Sequence, residues 1–198
     1  MNPPDIVVSD AAGYDAIAER FISARSEIGH EIVATWAKRL PAGASVIDIG
    51  CGHGAPITRT LVNAGLQVSA IDPSPRMVAA FSDRFPHVPV ECEGVENTTF
   101  FGTRFDAAVA IGVIFLLHAD AQANAIARMA KALRPGGALL FSAPREAESW
   151  TDVLTGRTSW SLGETGYHAL LTEAGFGQFE AYDDAGGTHY YAARRNAT

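Results

Sequence analysis

Cysteine, clustered positive charge and long hydrophobic runs are all scarce in this sequence, and each shortage argues against a class of protein. Only two cysteines, Cys51 and Cys92, occur among the 198 residues. No second group of ligands at metal-binding spacing accompanies them, so we expect no metal site. Isolated cysteines are commonly buried as small apolar residues, and we interpret both in that way.

Positive charge is sparse and scattered. The chain carries 15 Lys and Arg against 22 Asp and Glu, which gives a net charge of −7, and it has no run of Lys or Arg. Binding to a phosphate backbone draws on clustered cations. We therefore expect no nucleic-acid partner.

No segment has the character of a membrane span or an export signal. The longest apolar stretch, residues 107–117, is interrupted by Gly112 and is shorter than the roughly 20 residues that a membrane-spanning helix needs. The first ten residues lack the basic and apolar regions of a signal peptide. We expect no membrane association and a cytoplasmic location.

The sequence does contain a regular alternation of short apolar segments and helical ones. Residues 10–39 carry a helical periodicity that Gly29 divides, and "LPAG" at 40–43 ends it. Beyond that point, strands are predicted at 44–49, 67–71, 87–92, 105–111 and 138–143, with a terminal hairpin at 177–182 and 188–194. Helices are predicted at 56–63, 74–84, 120–133 and 164–174. This order indicates an α/β fold with a mostly parallel sheet covered on both faces.

One loop stands out at the end of the first predicted strand. In "VIDIGCGHGAP", residues 46–56, an acid and three glycines follow one another as Asp48, Gly50, Gly52 and Gly54. Glycine permits positive φ and lets a ligand approach the main chain. The spacing is neither the G-x-G-x-x-G of dinucleotide folds nor the Gly-Lys-Ser/Thr of phosphate-binding loops. The loop therefore predicts a ligand site that fits neither of these two phosphate-binding motifs.

Four segments together resemble the motifs of class I S-adenosylmethionine-dependent methyltransferases. They are the glycine loop at 48–54, "AIDPSPRM" at 70–77, "FDAAVAIGV" at 105–113 and "ALRPGGALLFSAP" at 132–144. The resemblance implies a Rossmann-like three-layer αβα sandwich with a seven-stranded sheet, in which the terminal hairpin supplies the one antiparallel strand. It implies a single methyltransferase domain over residues 1–198. Its parts are an N-terminal helical lid at 1–40, a cofactor-binding core at 44–143, a lid segment at 144–163, and the last helix and hairpin at 164–198.

The same resemblance implies S-adenosyl-L-methionine as cofactor, S-adenosyl-L-homocysteine as product, and a set of binding residues. Asp48 and the backbone of the glycine loop would hold the amino acid end, while Asp72 would accept hydrogen bonds from the ribose hydroxyls; the alternative for Asp72 is a helix N-cap. Where relatives carry an adenine-binding Asp, this chain has Gly94, so Glu93, Glu96 or backbone groups alone would hold the base. The predicted cofactor-binding residues are Asp48, Gly50, Cys51, Gly52, Gly54, Asp72, Pro73, Met77, Gly94, Val95, Glu96 and Ile111.

In this fold the second strand lies between the first and the third. Cys51 comes just after the first strand and Cys92 ends the third, so the two cysteines should lie about 10 Å apart. A disulfide needs Cα atoms within about 7 Å. We expect no bridge between them.

The acceptor of the methyl group is harder to read. His118, near the fourth-strand loop, is one candidate catalytic base, and its alternative is a capping or surface residue; His53 is expected to point outward from the glycine loop. Where relatives carry a His, this chain has apolar Phe115 and Leu116, so the acceptor should be nucleophilic without a strong base. The predicted acceptor pocket consists of Tyr14, Arg25, Phe115, Trp150 and Trp160.

These features predict an enzyme that methylates an N, O or S atom of a small molecule, mainly by proximity and orientation. Its state would be a monomer or a homodimer. Four alternatives stay open: a non-catalytic protein that binds the cofactor, a methyltransferase that acts on protein or RNA, a nucleotide-dependent oxidoreductase on a similar sheet, and cofactor-dependent chemistry other than methylation on the same fold.

Overall fold

The computed structural model describes residues 11–197. The predicted lid begins at residue 1, so its first ten residues lie outside the described residues. Nine strands are present in this part of the chain: β1 (Ser45–Ile49), β2 (Gln67–Ile71), β3 (Val90–Glu91), β4 (Phe105–Ala110), β5 (Leu133–Ser142), β6 (Ala147–Thr151), β7 (Thr158–Leu162), β8 (Phe176–Asp183) and β9 (His189–Arg195). The six α-helices of the described residues are α1 (Ala18–Ala24), α2 (His30–Ala37), α3 (Ile57–Asn63), α4 (Pro75–Arg84), α5 (Ala119–Ala132) and α6 (Gly163–Glu173).

Seven strands form one sheet in the order β3-β2-β1-β4-β5-β9-β8. β1 to β5 run parallel to one another, whereas β9 pairs antiparallel with both β5 and β8. The predicted sheet, with its single reversed strand in the C-terminal hairpin, is confirmed. The strand order reverses direction between β1 and β4, which is where open α/β sheets bind ligands.

Alternate residues of the central strands face two separate layers of helices. Ile47, Ile49 and Ala108 pack on one face together with residues of α5 and α6. Val46, Val68 and Val109 pack on the other face together with residues of α2 and α3. This period-two alternation of fully apolar positions is what a parallel strand needs when helices cover both its faces.

The structure corrects several predicted boundaries. The helical region at 10–39 is a series of short turns, then α1 and α2, because Gly29 takes a φ of 90° and breaks the helix between them. β3 is only two residues long, and β5 begins at Leu133 rather than at residue 138 because a bulge lies between its two pairing regions with β4.

The segment at 144–163, predicted only as a polar lid segment, contains an antiparallel hairpin. Residues Ala147 to Thr151 of β6 pair with residues Leu162 to Thr158 of β7 as a separate two-stranded sheet. Most of the β6 residues are exposed, so the segment lacks the buried apolar face by which a strand is recognised.

Within residues 11–197, no helix combines the length and the apolar character that crossing a membrane would require.

Candidate functional site

A cavity of about 290 Å³ lies beyond the carboxyl ends of β1, β2 and β4. Its walls come from the loops that follow these strands and from the N-terminal helical segment. Ten of the twelve predicted cofactor-binding residues line it: Gly50, Cys51, Gly52, Asp72, Pro73, Met77, Gly94, Val95, Glu96 and Ile111. The structure therefore brings together residues that are up to 61 positions apart in the sequence.

The three glycines of the loop are glycine for different structural reasons. All three take positive φ, between 54° and 84°. A Cβ at Gly50 would lie 2.2 Å from Val113, and one at Gly54 would lie 2.3 Å from Phe85, so packing excludes side chains at both positions. At Gly52 the nearest atom, on Phe21, is 4.0 Å away. Gly52 thus leaves room beside the cavity, where a ligand can approach the backbone.

Asp72 joins the glycine loop to the start of α4. One carboxyl oxygen of Asp72 accepts from the Gly52 N–H at 2.8 Å, and the other accepts from the Ser74 N–H at 2.9 Å. Burial raises the pKa of Asp72 to about 6. The N-cap of α4 is Ser74, whose hydroxyl accepts from the Met77 N–H. The alternative interpretation of Asp72 as the N-cap is therefore wrong, and its oxygens keep lone pairs directed toward further donors.

Asp48 lies behind the loop, and Gly54 likewise lies outside the cavity lining. The Asp48 side chain is buried and accepts a hydrogen bond from the Thr58 hydroxyl at 2.5 Å. Burial raises the pKa of Asp48 to about 7, and the neighbouring Asp72 adds to that increase. The chain thus holds two buried carboxyl groups with no salt bridge to either among residues 11–197.

The loop after β3 forms the far wall. Glu93, Gly94, Val95 and Glu96 all line the cavity. Arg128 of α5 donates to the backbone carbonyls of Val95, at 2.7 Å, and Thr98, and so holds this loop from behind. No aspartate stands at the position where the resembling family has one, so the loop offers Glu93, Glu96 and its backbone groups.

The N-terminal segment closes the cavity from above. Tyr14, Phe21 and Arg25 line it, with the Arg25 guanidinium 5.9 Å from the centre of the Phe21 ring. Arg25 makes no salt bridge within residues 11–197, and burial lowers its pKa. A carboxyl oxygen of Asp15 accepts from the Ser74 hydroxyl at 2.6 Å, which attaches the segment to the start of α4.

The segment after β4 supplies an apolar wall. Val113, Phe115, Leu116 and Leu117 line the cavity. Trp150 does not line it but packs on Phe115, with ring centres 5.5 Å apart. The predicted pocket residues Tyr14, Arg25 and Phe115 are therefore brought together, whereas Trp150 lies behind Phe115.

Trp160 and His118 pair with each other away from the cavity. Their rings are 4.8 Å apart, and neither residue belongs to the cavity lining. His118 is exposed and is the N-cap of α5, where its Nδ1 accepts from the Asp120 N–H at 3.4 Å. His118 therefore caps a helix, which is the alternative given in the sequence analysis. Because His118 does not line the cavity, nothing in its position supports a role as catalytic base.

The expectation that His53 points outward is wrong. Its side chain is 4% exposed and lines the cavity, because the left-handed backbone at Gly52 and Gly54 curls the loop around it. Burial and the nearby Arg84, Arg25 and Arg59 lower the pKa of His53 to about 4. The imidazole is therefore neutral near pH 7.

Sequence reasoning missed Phe21, Arg128 and Thr58. Phe21 belongs to a helical pattern of apolar residues that core packing would equally explain. Arg128 holds the loop after β3 by donating to backbone carbonyls about 30 residues earlier in the sequence, which no sequence motif indicates. Thr58, ten residues after Asp48, lies on the helix after the glycine loop, where only the fold shows that its hydroxyl faces the acid.

Both cysteines are free thiols; Cys51 is buried as expected, whereas the interpretation of Cys92 as a buried apolar residue is wrong, because its side chain is exposed in the loop after β3. Burial raises the pKa of the Cys51 thiol. Within the described part of the chain, no group of three or more His, Cys, Asp and Glu residues could hold a metal ion.

Comparison with known proteins gives three findings. Residues 46–137 match the family model described as a methyltransferase domain. The chain is 30% identical over 152 residues to a tRNA U34 carboxymethyltransferase of Cellvibrio japonicus, which covers 71% of this chain and 44% of the relative. It is 35% identical over 107 residues to a ubiquinone biosynthesis O-methyltransferase of a Methylobacterium species, covering 52% of this chain and 41% of the relative.

Among solved structures, the fold is similar to 1,6-didemethyltoxoflavin-N1-methyltransferase of Burkholderia thailandensis, which was crystallised with its acceptor and S-adenosylhomocysteine. The TM-score is 0.74 at 22% identity, over 96% of this chain and 87% of that one. The chain spans less than half the length of the two curated relatives that it matches.

The resemblance drawn from the four motifs is confirmed. The segment at 46–137, which contributes β1 to β4 and most of the cavity walls, matches a methyltransferase domain, and the fold of the chain is similar to that of a solved methyltransferase.

Proposed function

We propose that this protein transfers a methyl group from S-adenosyl-L-methionine to a nucleophilic N, O or S atom of a small-molecule acceptor. One observation carries the proposal: a single cavity joins the glycine loop and Asp72 to an apolar wall at residues 113–117. The first group suits the cofactor, and the second suits an acceptor.

The charges around the cavity fit the cofactor. Arg25, which makes no salt bridge to any residue in the described range 11–197, would pair with the carboxylate of the amino acid end, and Asp48 would stabilise its ammonium group from behind the loop. Asp72 would accept from the ribose hydroxyls. Pro73, Met77 and Val95 offer apolar surface to the nucleoside, and Glu93, Glu96 and the backbone of 94–96 offer partners to the base. When bound, the cofactor supplies an electrophilic methyl group on a sulfonium.

Tyr14 and the residues of the segment 113–117 that line the cavity offer no carboxylate or imidazole as a base. Burial and the neighbouring Asp152, which accepts from the Tyr14 hydroxyl at 3.2 Å, raise the pKa of Tyr14 well above its usual value of 10, so the phenol stays protonated. The walls formed by Phe115, Leu116 and Leu117 are apolar. The residues therefore orient the acceptor and exclude water, and the acceptor would be an amine, a thiolate or another group that is already nucleophilic.

An RNA acceptor is the second candidate. The relative from Cellvibrio japonicus acts, by its name, on tRNA U34. A small acceptor remains the main proposal because the cavity is about 290 Å³ and is covered by Tyr14 and Phe21. The proposal includes a cytoplasmic location and a monomeric or homodimeric state.

Formation of S-adenosylhomocysteine tests the proposal. Purified protein would be incubated with S-adenosylmethionine and, separately, with a panel of small aromatic amines, thiols and phenols, with unmodified tRNA, and with no acceptor. We expect turnover with members of the small-molecule panel. Turnover with tRNA alone would establish the second candidate instead. Tight cofactor binding with no turnover on any acceptor would favour the non-catalytic alternative.

A further inference from the structure

A second depression, of about 800 Å³, lies on the opposite side of β4 from the cavity. It is lined by residues of the segment 97–104, which leads into the start of β4, and by residues at the end of α5. The cavity, in contrast, is lined in part by the residues that come after β4. Four cations line it: Arg104, Arg128, Lys131 and Arg134. We call this depression the basic groove. No acidic residue belongs to its lining, although the chain as a whole has a net charge of −7.

Most of this positive charge is uncompensated. Arg134 pairs with Asp106 at 2.6 Å. Arg128 donates only to the neutral carbonyls of Val95 and Thr98. The side chains of Arg104 and Lys131 are exposed, and within residues 11–197 neither side chain makes a hydrogen bond or a salt bridge. Three cationic side chains thus face one depression without a carboxylate partner, and cations gathered in this way raise the local concentration of anions.

Two more cations extend the charged surface along the same end of the sheet. Arg194 donates to the Gly136 carbonyl at 3.1 Å, and Arg195 donates to the Leu133 carbonyl. Gly136 and Leu133 belong to the beginning of β5, next to Arg134. Six of the 15 basic residues therefore lie around the end of α5 and the start of β5, although they are scattered in the sequence.

We propose that the basic groove binds the phosphate backbone of RNA. A surface on which several cations are spread over separate elements fits an extended polyanion better than a single phosphate. Asn97, Thr99 and Thr103 are exposed beside the cations and offer hydrogen bonds to phosphate oxygens and 2′-hydroxyl groups. Phe100 is buried, so the groove offers no exposed ring of that residue for base stacking. Recognition is therefore of the backbone and independent of base sequence.

This binding does not depend on the proposed methyl transfer. The groove and the cavity lie at opposite ends of β4 and share no lining residue. RNA binding would add a docking function whether the methylated acceptor is a small molecule or a nucleotide. It also revises the expectation of no nucleic-acid partner, which relied on the absence of a basic run in the sequence.

Fluorescence anisotropy with a fluorescein-labelled 17-nucleotide RNA stem-loop tests the proposal, between 25 and 200 mM NaCl. The variant is Arg104→Glu/Lys131→Glu. The matched control is Arg20→Glu/Lys38→Glu, which makes the same change in net charge at two exposed residues outside the groove. We expect the groove variant to bind RNA at least tenfold more weakly at 50 mM NaCl than the wild-type protein. Its slope of log binding constant against log salt should be smaller by about 2, because two phosphate contacts are lost.

The control variant should stay within threefold of the wild-type affinity, and all three proteins should show the same stabilisation by S-adenosylhomocysteine in thermal unfolding. That second readout separates loss of RNA binding from loss of the fold or of the proposed cofactor site. Equal affinity of the wild-type and groove variants would overturn the proposal. So would equal binding of a DNA stem-loop of the same sequence, or of poly-glutamate, because a non-specific or acidic-protein site would then explain the groove.

Discussion

Asp72 shapes the glycine loop and, in the proposed function, would also accept hydrogen bonds from the ligand. Its two oxygens accept from Gly52 and Ser74, which belong to the ends of two different strands. Burial in the absence of a cation raises its pKa to about 6. A donor supplied by a ligand would stabilise the charged form. If Asp72 accepts from the ligand as proposed, ligand binding would be coupled to the protonation of this side chain.

We expect Asp72→Asn to weaken S-adenosylhomocysteine binding by about 10- to 100-fold at pH 7.5, because a charged acceptor is replaced by a neutral one. The wild-type affinity should fall as the pH drops below about 6, where Asp72 becomes protonated and loses acceptor capacity. Titration calorimetry from pH 7.5 to 5 measures both effects. The pH dependence over the acidic part of this range should be smaller in the variant; identical profiles would mean that Asp72 does not bear on the ligand.

At the scale of single residues, the sequence predicted those positions whose chemistry is local. Gly50, Gly52 and Asp72 follow directly from strand ends, so their place at the cavity could be inferred from the pattern. His53 could not, because its direction depends on the curl of the loop between two left-handed glycines. Arg128 could not either, since only the packing of α5 brings it to the Val95 carbonyl.

At the scale of elements, the glycine loop and α4 are packed so closely that their contact depends on the missing side chain of Gly54. A Cβ there would lie 2.3 Å from Phe85 and 3.0 Å from Phe81, both on the α4 side of the loop. Gly52, two residues earlier, has open space instead. The same motif thus contains two glycines required for packing, Gly50 and Gly54, and one, Gly52, that leaves room for a ligand.

Three glycine variants separate these two roles. Gly65→Ala measures the cost of positive φ alone, about 1–2 kcal/mol of unfolding free energy, because no atom lies within 4 Å of the added Cβ. Gly54→Ala should cost about 1–3 kcal/mol more, since it also overlaps Phe85. Gly52→Ala should cost about as much as Gly65→Ala but reduce affinity for S-adenosylhomocysteine. Urea unfolding and calorimetry give the two quantities; equal stability of the Gly54 and Gly65 variants would refute the packing role.

The sequence predicted elements best where burial was strongest. β1, β2 and β4 are short, mostly buried segments and appear close to their predicted bounds. β6 and β7 were missed because their residues are mostly polar and form a small separate sheet. Backbone pairing within a hairpin, rather than burial of an apolar face, defines these two strands. β5 begins earlier than predicted because "RPGG" forms a bulge within the strand rather than a turn before it.

At the scale of the whole molecule, the distribution of charge differs from what composition implies. The chain is acidic, yet its fold collects basic residues from α5, β5 and β9 at one end of the sheet and buries two carboxyl groups beside the cavity at the other. Composition alone indicated no polyanion binding. Only the three-dimensional arrangement shows that the basic groove and the cavity with its buried carboxyl groups lie at different places on the molecule.

The central claim is that the glycine loop, Asp72 and the N-terminal segment form a site for a methionine-derived nucleoside. Isothermal titration of the wild-type protein with S-adenosylhomocysteine at pH 7.5, beside an identical titration with NAD, tests it most directly. We predict saturable one-to-one binding of S-adenosylhomocysteine and none of NAD. Heat from NAD alone, or from neither ligand, would contradict the assignment of this cavity.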